Sequence, residues 1–81
     1  MRVKPIEEFD YEGQHYKYVT FEFNTPSTHE ATVWLDEDNE PTGGEEIAYG
    51  SWSTFDKQEV GEYLHHYGID FGEVLQRAVA A

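Results

Sequence analysis

The sequence predicts an α+β domain: an antiparallel meander of three to four strands, followed by two C-terminal helices packed on one sheet face. Three observations lead there. Apolar residues alternate with polar ones through the first half, the spacing changes to three and four residues after about position 53, and turn formers punctuate each segment.

His15 to Asn24 is the clearest predicted strand, rich in aromatic and β-branched residues, with Glu12-Gly13-Gln14 before it and Thr25-Pro26-Ser27 after it. A period of two puts Val19, Phe21 and Phe23 on one face and Tyr16, Tyr18, Thr20 and Glu22 on the other. Ile6 to Tyr11 is expected to pair with it across the Glu12-Gly13 turn, where glycine supplies a positive φ. Glu30 to Asp36 reads as a third strand, with Ala31, Val33 and Leu35 facing one way and Thr32 and Trp34 the other. The stretch from Glu37 to Gly44 reads as a loop leading to a fourth strand, Ile47 to Trp52.

Ser53 or Thr54 is the expected cap of a first helix running to about His66, with Val60, Leu64 and Tyr67 on its apolar side and Gly68 as its C′ residue. Asp70 at the N-cap, Glu73 three residues on, and Ile69 placed to reach Val74 announce a second helix. Its expected buried stripe is Phe71, Val74, Leu75, Ala78 and Val79. The 81 residues are read as one domain, with no internal repeat or linker. A chain of this size buries only about 60% of the surface it exposes when unfolded. Thirteen aromatics compensate, since each ring can bury roughly 150–250 Å².

Seventeen acids oppose five Lys and Arg, a net charge of −12. Direct nucleic-acid binding is excluded on that ground, because it rests on basic residues neutralising phosphates. Cysteine is absent, which removes disulfides, thiolate chemistry and Cys-ligated zinc. The opening residues Met1 to Pro5 lead into acids, not into the apolar core of a signal peptide, and no apolar run approaches membrane-spanning length. The expectation is a cytoplasmic protein without membrane association.

No catalytic or metal motif is present, and neither a cofactor nor a metal is expected. His65 and His66 are adjacent, so they do not share a helix face as an i, i+4 pair would; His15 and His29 lie near strand ends, where either can meet a carboxylate. The run Asp36-Glu37-Asp38-Asn39-Glu40 offers oxygens at alternate positions, but Pro41 and Ile47 stand where a calcium loop needs glycine and glutamate. Gly43-Gly44 runs into Glu45-Glu46, which would repel a phosphate. Gly50-Ser51-Trp52-Ser53 lacks the second glycine of a nucleophile elbow. Among 17 acids some pair will stand at a glycosidase spacing by chance, and so small a chain has little material for a deep cleft. The expectation is a non-enzymatic protein.

The acidity is the remaining signal. A net charge of roughly 2 to 8 suffices for solubility in a small domain, and clustering like charges costs stability. Twelve of the acids precede Ile47, against Arg2, Lys4 and Lys17 alone. A surface directed at a basic partner explains that concentration, and nucleic-acid-binding proteins are a large class with basic grooves, since a duplex carries one negative charge per roughly 1.7 Å of its axis. Small acidic proteins of phages and mobile elements, the antirestriction and anti-CRISPR proteins, work this way; the comparison rests on size and charge only. Glu37, Asp38, Glu40, Glu45 and Glu46 are the expected partner-binding carboxylates, and Tyr16, Tyr18 and Trp34 the expected anchors on the outer sheet face. Three alternatives stand beside this reading: a housekeeping interaction domain whose acidity is salt adaptation, a small carboxylate enzyme with a concave site, and a homodimer whose mate covers the outer face.

Overall fold

The computed structural model describes residues 1–80. Six strands, β1 (Arg2–Val3), β2 (Glu7–Tyr11), β3 (Gln14–Glu22), β4 (His29–Leu35), β5 (Pro41–Ala48) and β6 (Ser51–Phe55), precede two helices, α1 (Lys57–His66) and α2 (Phe71–Ala80). Every pairing is antiparallel, in the order β1-β3-β4-β5-β6, with β2 beside β3 on the same edge as β1. The predicted α+β meander with two closing helices is the fold observed.

β1 and β2 are two pieces of one edge. Lys4 still donates its N–H to the Thr20 carbonyl at 2.9 Å, but Pro5 has no N–H to give. The partner numbering slips by one between Val3↔Phe21 and Glu7↔Tyr18. Beyond the slip, Glu12 (φ 51) and Gly13 (φ 78) form a two-residue turn that sets Tyr11 opposite Gln14.

The core lies between the sheet and the helices. Val19 and Phe21 of β3 and Ala31, Val33 and Leu35 of β4 pack against Val60, Tyr63 and Leu64 of α1 and Val74 and Ala78 of α2. The alternation predicted for β3 and β4 therefore holds, and β4 alternates buried and half-buried along its whole length.

The segment from Glu37 to Trp52 differs from the sequence expectation. Gly43 and Gly44 belong to β5, and the predicted fourth strand is cut by a second two-residue turn at Tyr49 (φ 52) and Gly50 (φ 81), which opens β6. Gly44 is in the strand because the layers meet there. A Cβ at that position would lie 2.6 Å from the Thr32 carbonyl oxygen and 3.2 Å from Val60 Cγ2. Glycine at this point marks a close approach, not a loop.

The first helix cap also moves. Ser53 and Thr54 are strand residues, and Asp56 caps α1. Asp56 Oδ1 accepts the Glu59 N–H at 2.8 Å while Glu59 Oε1 accepts the Asp56 N–H at 3.2 Å, a complete capping box. The chain stays extended that far because Phe55 packs its ring on Tyr63, centroids 4.9 Å apart. At the other end Gly68 (φ 65) donates to the His65 carbonyl and Ile69 to that of Leu64, the paired bonds of a Schellman stop. In α2, Asp70 Oδ1 accepts from Glu73 N–H at 3.3 Å. Two stripe assignments are corrected: Tyr63, not the 44% exposed Tyr67, completes the buried side of α1, and Val79 is 74% exposed. Val74 and Ala78, four apart, define the buried line of α2, and Val79 lies a further 100° round the helix. Among the described residues no helix is long and apolar enough to cross a membrane.

Candidate functional site

With both helices on one side, the other side of the sheet is left uncovered by secondary structure. Cross-strand register assembles an aromatic cluster there. Phe9 stands opposite Tyr16 and Tyr18 opposite Trp34. Phe9 stacks on Tyr16 with centroids 5.1 Å apart and planes at 19°, Tyr18 lies 5.1 Å from Trp34, and edge contacts at 6.1 and 6.4 Å tie Tyr16 and Phe9 to the same indole. Aromatic pairs of this kind contribute about 0.5–1.5 kcal/mol each beyond area burial.

Carboxylates border the cluster. Glu7, Glu22, Glu30 and Glu45 belong to the strand positions of this face, and a shallow dish floored by Thr20 and Thr32 brings Glu7, Glu30 and Glu45 together with Tyr18 and Trp34. The two threonine hydroxyls bond each other at 3.1 Å. Glu22 and Glu30 sit directly opposite one another, a repulsive pairing relieved by Lys4 Nζ at 3.4 and 3.8 Å and by Arg2 at 3.9 Å from Glu22. Among the described residues, Glu7 and Glu45 have no cation within 4.0 Å. Glu45 Oε2 instead accepts the Trp52 indole N–H at 3.2 Å.

Tyr16, Tyr18, Trp34 and Glu45 are thus brought to one face. Glu37, Asp38 and Glu40 lie in the exposed β4–β5 loop, which continues directly from the Trp34 end of β4. Asp36 holds that loop from inside: its Oδ1 accepts the N–H groups of Asp38 at 2.8 Å and Glu40 at 2.9 Å, and Asn39 takes φ 63. The neighbouring carboxylates are left to solvent. Glu46 is separated from the other four, because it points to the helix side.

There Glu46 Oε2 accepts a hydrogen bond from His29 Nε2 at 2.9 Å, with the two side chains only 16% and 5% exposed. Phe23 stacks on the same imidazole at 4.1 Å. Tyr63 Oη is buried near this pair without a hydrogen-bond partner among the described residues. Burial first, and the Glu46 carboxylate second, hold its phenol well above the ordinary tyrosine range. A second histidine, exposed at the open end of β3, is clamped between carboxylates: His15 Nδ1 lies 2.8 Å from Asp10 Oδ1 and Nε2 3.4 Å from Glu8 Oε1. Its hydrogen bonds to Asp10 and then Glu8 raise its pKa above 6.5. Among the described residues, no three His, Asp or Glu side chains converge so as to hold a metal ion.

Phe9 and Trp52 were not among the expected anchors. Phe9 was within reach of the turn rule, since a two-residue turn at Glu12-Gly13 places it opposite Tyr16. Trp52 is the last residue of the single strand expected from Ile47 onward, and only the turn at Tyr49-Gly50 carries it back opposite Ile47, where it is 66% exposed. Comparison of the chain with protein-family models, curated proteins and solved structures finds no match.

Proposed function

We propose that the protein is a non-enzymatic, acidic inhibitor that docks its helix-free sheet face on a basic nucleic-acid-binding protein of the cytoplasm and blocks that protein's polyanion site. The observation that supports this reading most is the dish in which Tyr18 and Trp34 stand beside Glu7, Glu30 and Glu45. The aromatic faces and the carboxylates of Glu7 and Glu45, which have no cation within 4.0 Å among the described residues, together favour an arginine or lysine side chain, through cation–π attraction and charge-assisted hydrogen bonds. Lys4, at the rim of the dish, holds Glu30 at 3.8 Å. Glu37, Asp38 and Glu40 extend the negative field beyond the dish and steer the encounter. This is the mode in which antirestriction and anti-CRISPR proteins act, and the likeness is one of charge and size.

The test is affinity capture from lysate of the source organism, followed by displacement of duplex DNA or RNA from each purified captured protein. Wild type should displace the nucleic acid, and a Glu7→Lys, Glu45→Lys, Trp34→Ala variant should not. Capture of the same proteins by both, or binding without displacement, would sink the reading.

A second reading is favoured by acids on the helix side as well, at Asp56, Glu59, Glu62 and Glu73, all exposed. Under that reading the charge is salt adaptation. It requires a melting temperature that keeps rising into molar potassium chloride, whereas an inhibitor from a low-salt cell is fully folded at low salt.

A further inference from the structure

The two edges of the sheet are built differently. On one, Pro5 and the slip in register break the strand, and Glu7, Glu8 and Asp10 charge it. These are the devices by which proteins keep an edge from pairing with another chain. The other edge, β6, is Ser51-Trp52-Ser53-Thr54-Phe55: uncharged, without proline, continuous in register with β5, and exposed from Ser51 to Thr54.

The two-residue turn at Tyr49-Gly50 makes Ala48 and Ser51 a hydrogen-bonded pair. Antiparallel alternation then points the backbone N–H and C=O of Ser51, Ser53 and Phe55 inward to β5, and those of Trp52 and Thr54 outward. Four backbone groups are therefore presented in strand geometry at the open edge. On the helix side of this edge, α1 lies mainly over β5 and leaves β6 largely uncovered. The small side chains of Ser51 and Ser53 sit there, and a groove opens beside Phe55, lined by Glu46, Glu59, Glu62, Tyr63, His66 and Tyr67.

We infer that β6 is a docking edge that receives an extended segment of another protein as an added antiparallel strand, with basic residues at alternate positions. Backbone pairing to Trp52 and Thr54 supplies the register. Side chains of the added strand that fall on the helix side meet the carboxylates of Glu59 and Glu62 and the rings of Tyr63 and Tyr67, a lining that selects Lys or Arg. Those that fall on the other side meet Trp52 and are apolar. A second copy of this chain fits less well, since β6–β6 pairing brings two −12 chains together and lines the seam with acids from both sides. The inference does not depend on docking at the helix-free face: the edge touches the Tyr18–Trp34 dish only where Trp52 and Thr54 meet Glu45, and the groove with Glu59 and Glu62 lies on the helix side.

The experiment titrates the intact protein with a short synthetic peptide carrying lysine and valine at alternate positions, followed by amide NMR with hydrogen exchange. Binding should slow exchange at the Trp52 and Thr54 amides and weaken as salt rises. Thr54→Pro removes one outward N–H without disturbing the bond to β5, so it should fold normally and weaken binding at least about tenfold. Glu62→Lys should do the same through charge. If Thr54→Pro does not fold, the peptide N-methylated at alternate residues replaces it and should fail to bind wild type. The inference is overturned if the lysine–valine peptide does not bind, if a glutamate–valine peptide binds equally well, or if the N-methylated peptide or Thr54→Pro leaves affinity unchanged. It is overturned equally if the Trp52 and Thr54 amides are already protected without peptide in a species of doubled mass, the mark of a second copy on the edge.

Discussion

Glu45 and Glu46 are chain neighbours that serve opposite sides of the sheet: Glu45 accepts from the Trp52 indole at 3.2 Å on the helix-free face, and Glu46 accepts from His29 at 2.9 Å beneath the helices. One is free to meet a partner. The other is tied into the interior.

Lysine reversals should therefore behave differently along this acidic run. Glu46→Lys places a cation against the buried His29 and removes a hydrogen bond to a charged group, at a cost of about 2 kcal/mol. In a domain of this size that lowers Tm by roughly 10 °C. Glu37→Lys, Asp38→Lys and Glu40→Lys, at exposed loop positions, should each stay within about 0.5 kcal/mol of wild type. Urea unfolding followed by circular dichroism measures the difference, and equal midpoints for Glu46→Lys and Glu37→Lys would contradict the assignment.

Two glycine-to-alanine changes should have opposite signs. Gly44→Ala forces a methyl against the Thr32 carbonyl and Val60, and should destabilise by about 2 kcal/mol. Gly61 lies within α1, exposed, with nothing within 4 Å of an added Cβ, so Gly61→Ala should stabilise by about 0.5–1 kcal/mol. Thermal melts of the two variants decide it.

His15 should titrate above 6.5, and Asp10→Asn, which removes the first cause of the shift, should bring it back toward that value. The sign follows from a folded-state pKa raised above the unfolded one. The contribution of His15 to stability is complete below pH 6.5 and disappears as pH rises through the raised pKa. Because the ring is exposed, the measurement is the NMR titration of its Cε1 proton; an unchanged midpoint in Asp10→Asn would count against the clamp.

Partner binding at the helix-free face should separate into an anchor and a field. Trp34→Ala removes the ring that Phe9, Tyr16 and Tyr18 all touch, and should weaken binding by about 2 kcal/mol or more, chiefly through faster dissociation. Glu37→Gln with Asp38→Gln should chiefly slow association, and only at low ionic strength. Stopped-flow or surface-plasmon kinetics on the captured partner separates the two effects, and a Trp34→Ala variant with wild-type dissociation would remove that residue from the site.

Much of this was legible in the chain. Periodicity of two placed Val19, Phe21, Ala31, Val33 and Leu35 toward the helices and Tyr16, Tyr18 and Trp34 away from them, because a pleated strand gives its residues no other choice. Gly68 as a helix stop and Asp70 as a helix start were readable because each acts on hydrogen bonds a few residues away. What failed was the segment whose conformation distant residues impose. Gly43-Gly44 looks like a loop until Thr32 and Val60 are brought against it, and Tyr49 turns with positive φ only because the strands on either side are already paired. The partners that Glu45 and Glu46 find on their two sides, the relief of Glu22 and Glu30 by Lys4, and the contrast between a blunted edge and an open one are likewise products of pairing between remote strands. Local pattern decides which way a side chain points from its own strand. Only the assembled sheet decides what it meets there, because that depends on register with residues far along the chain.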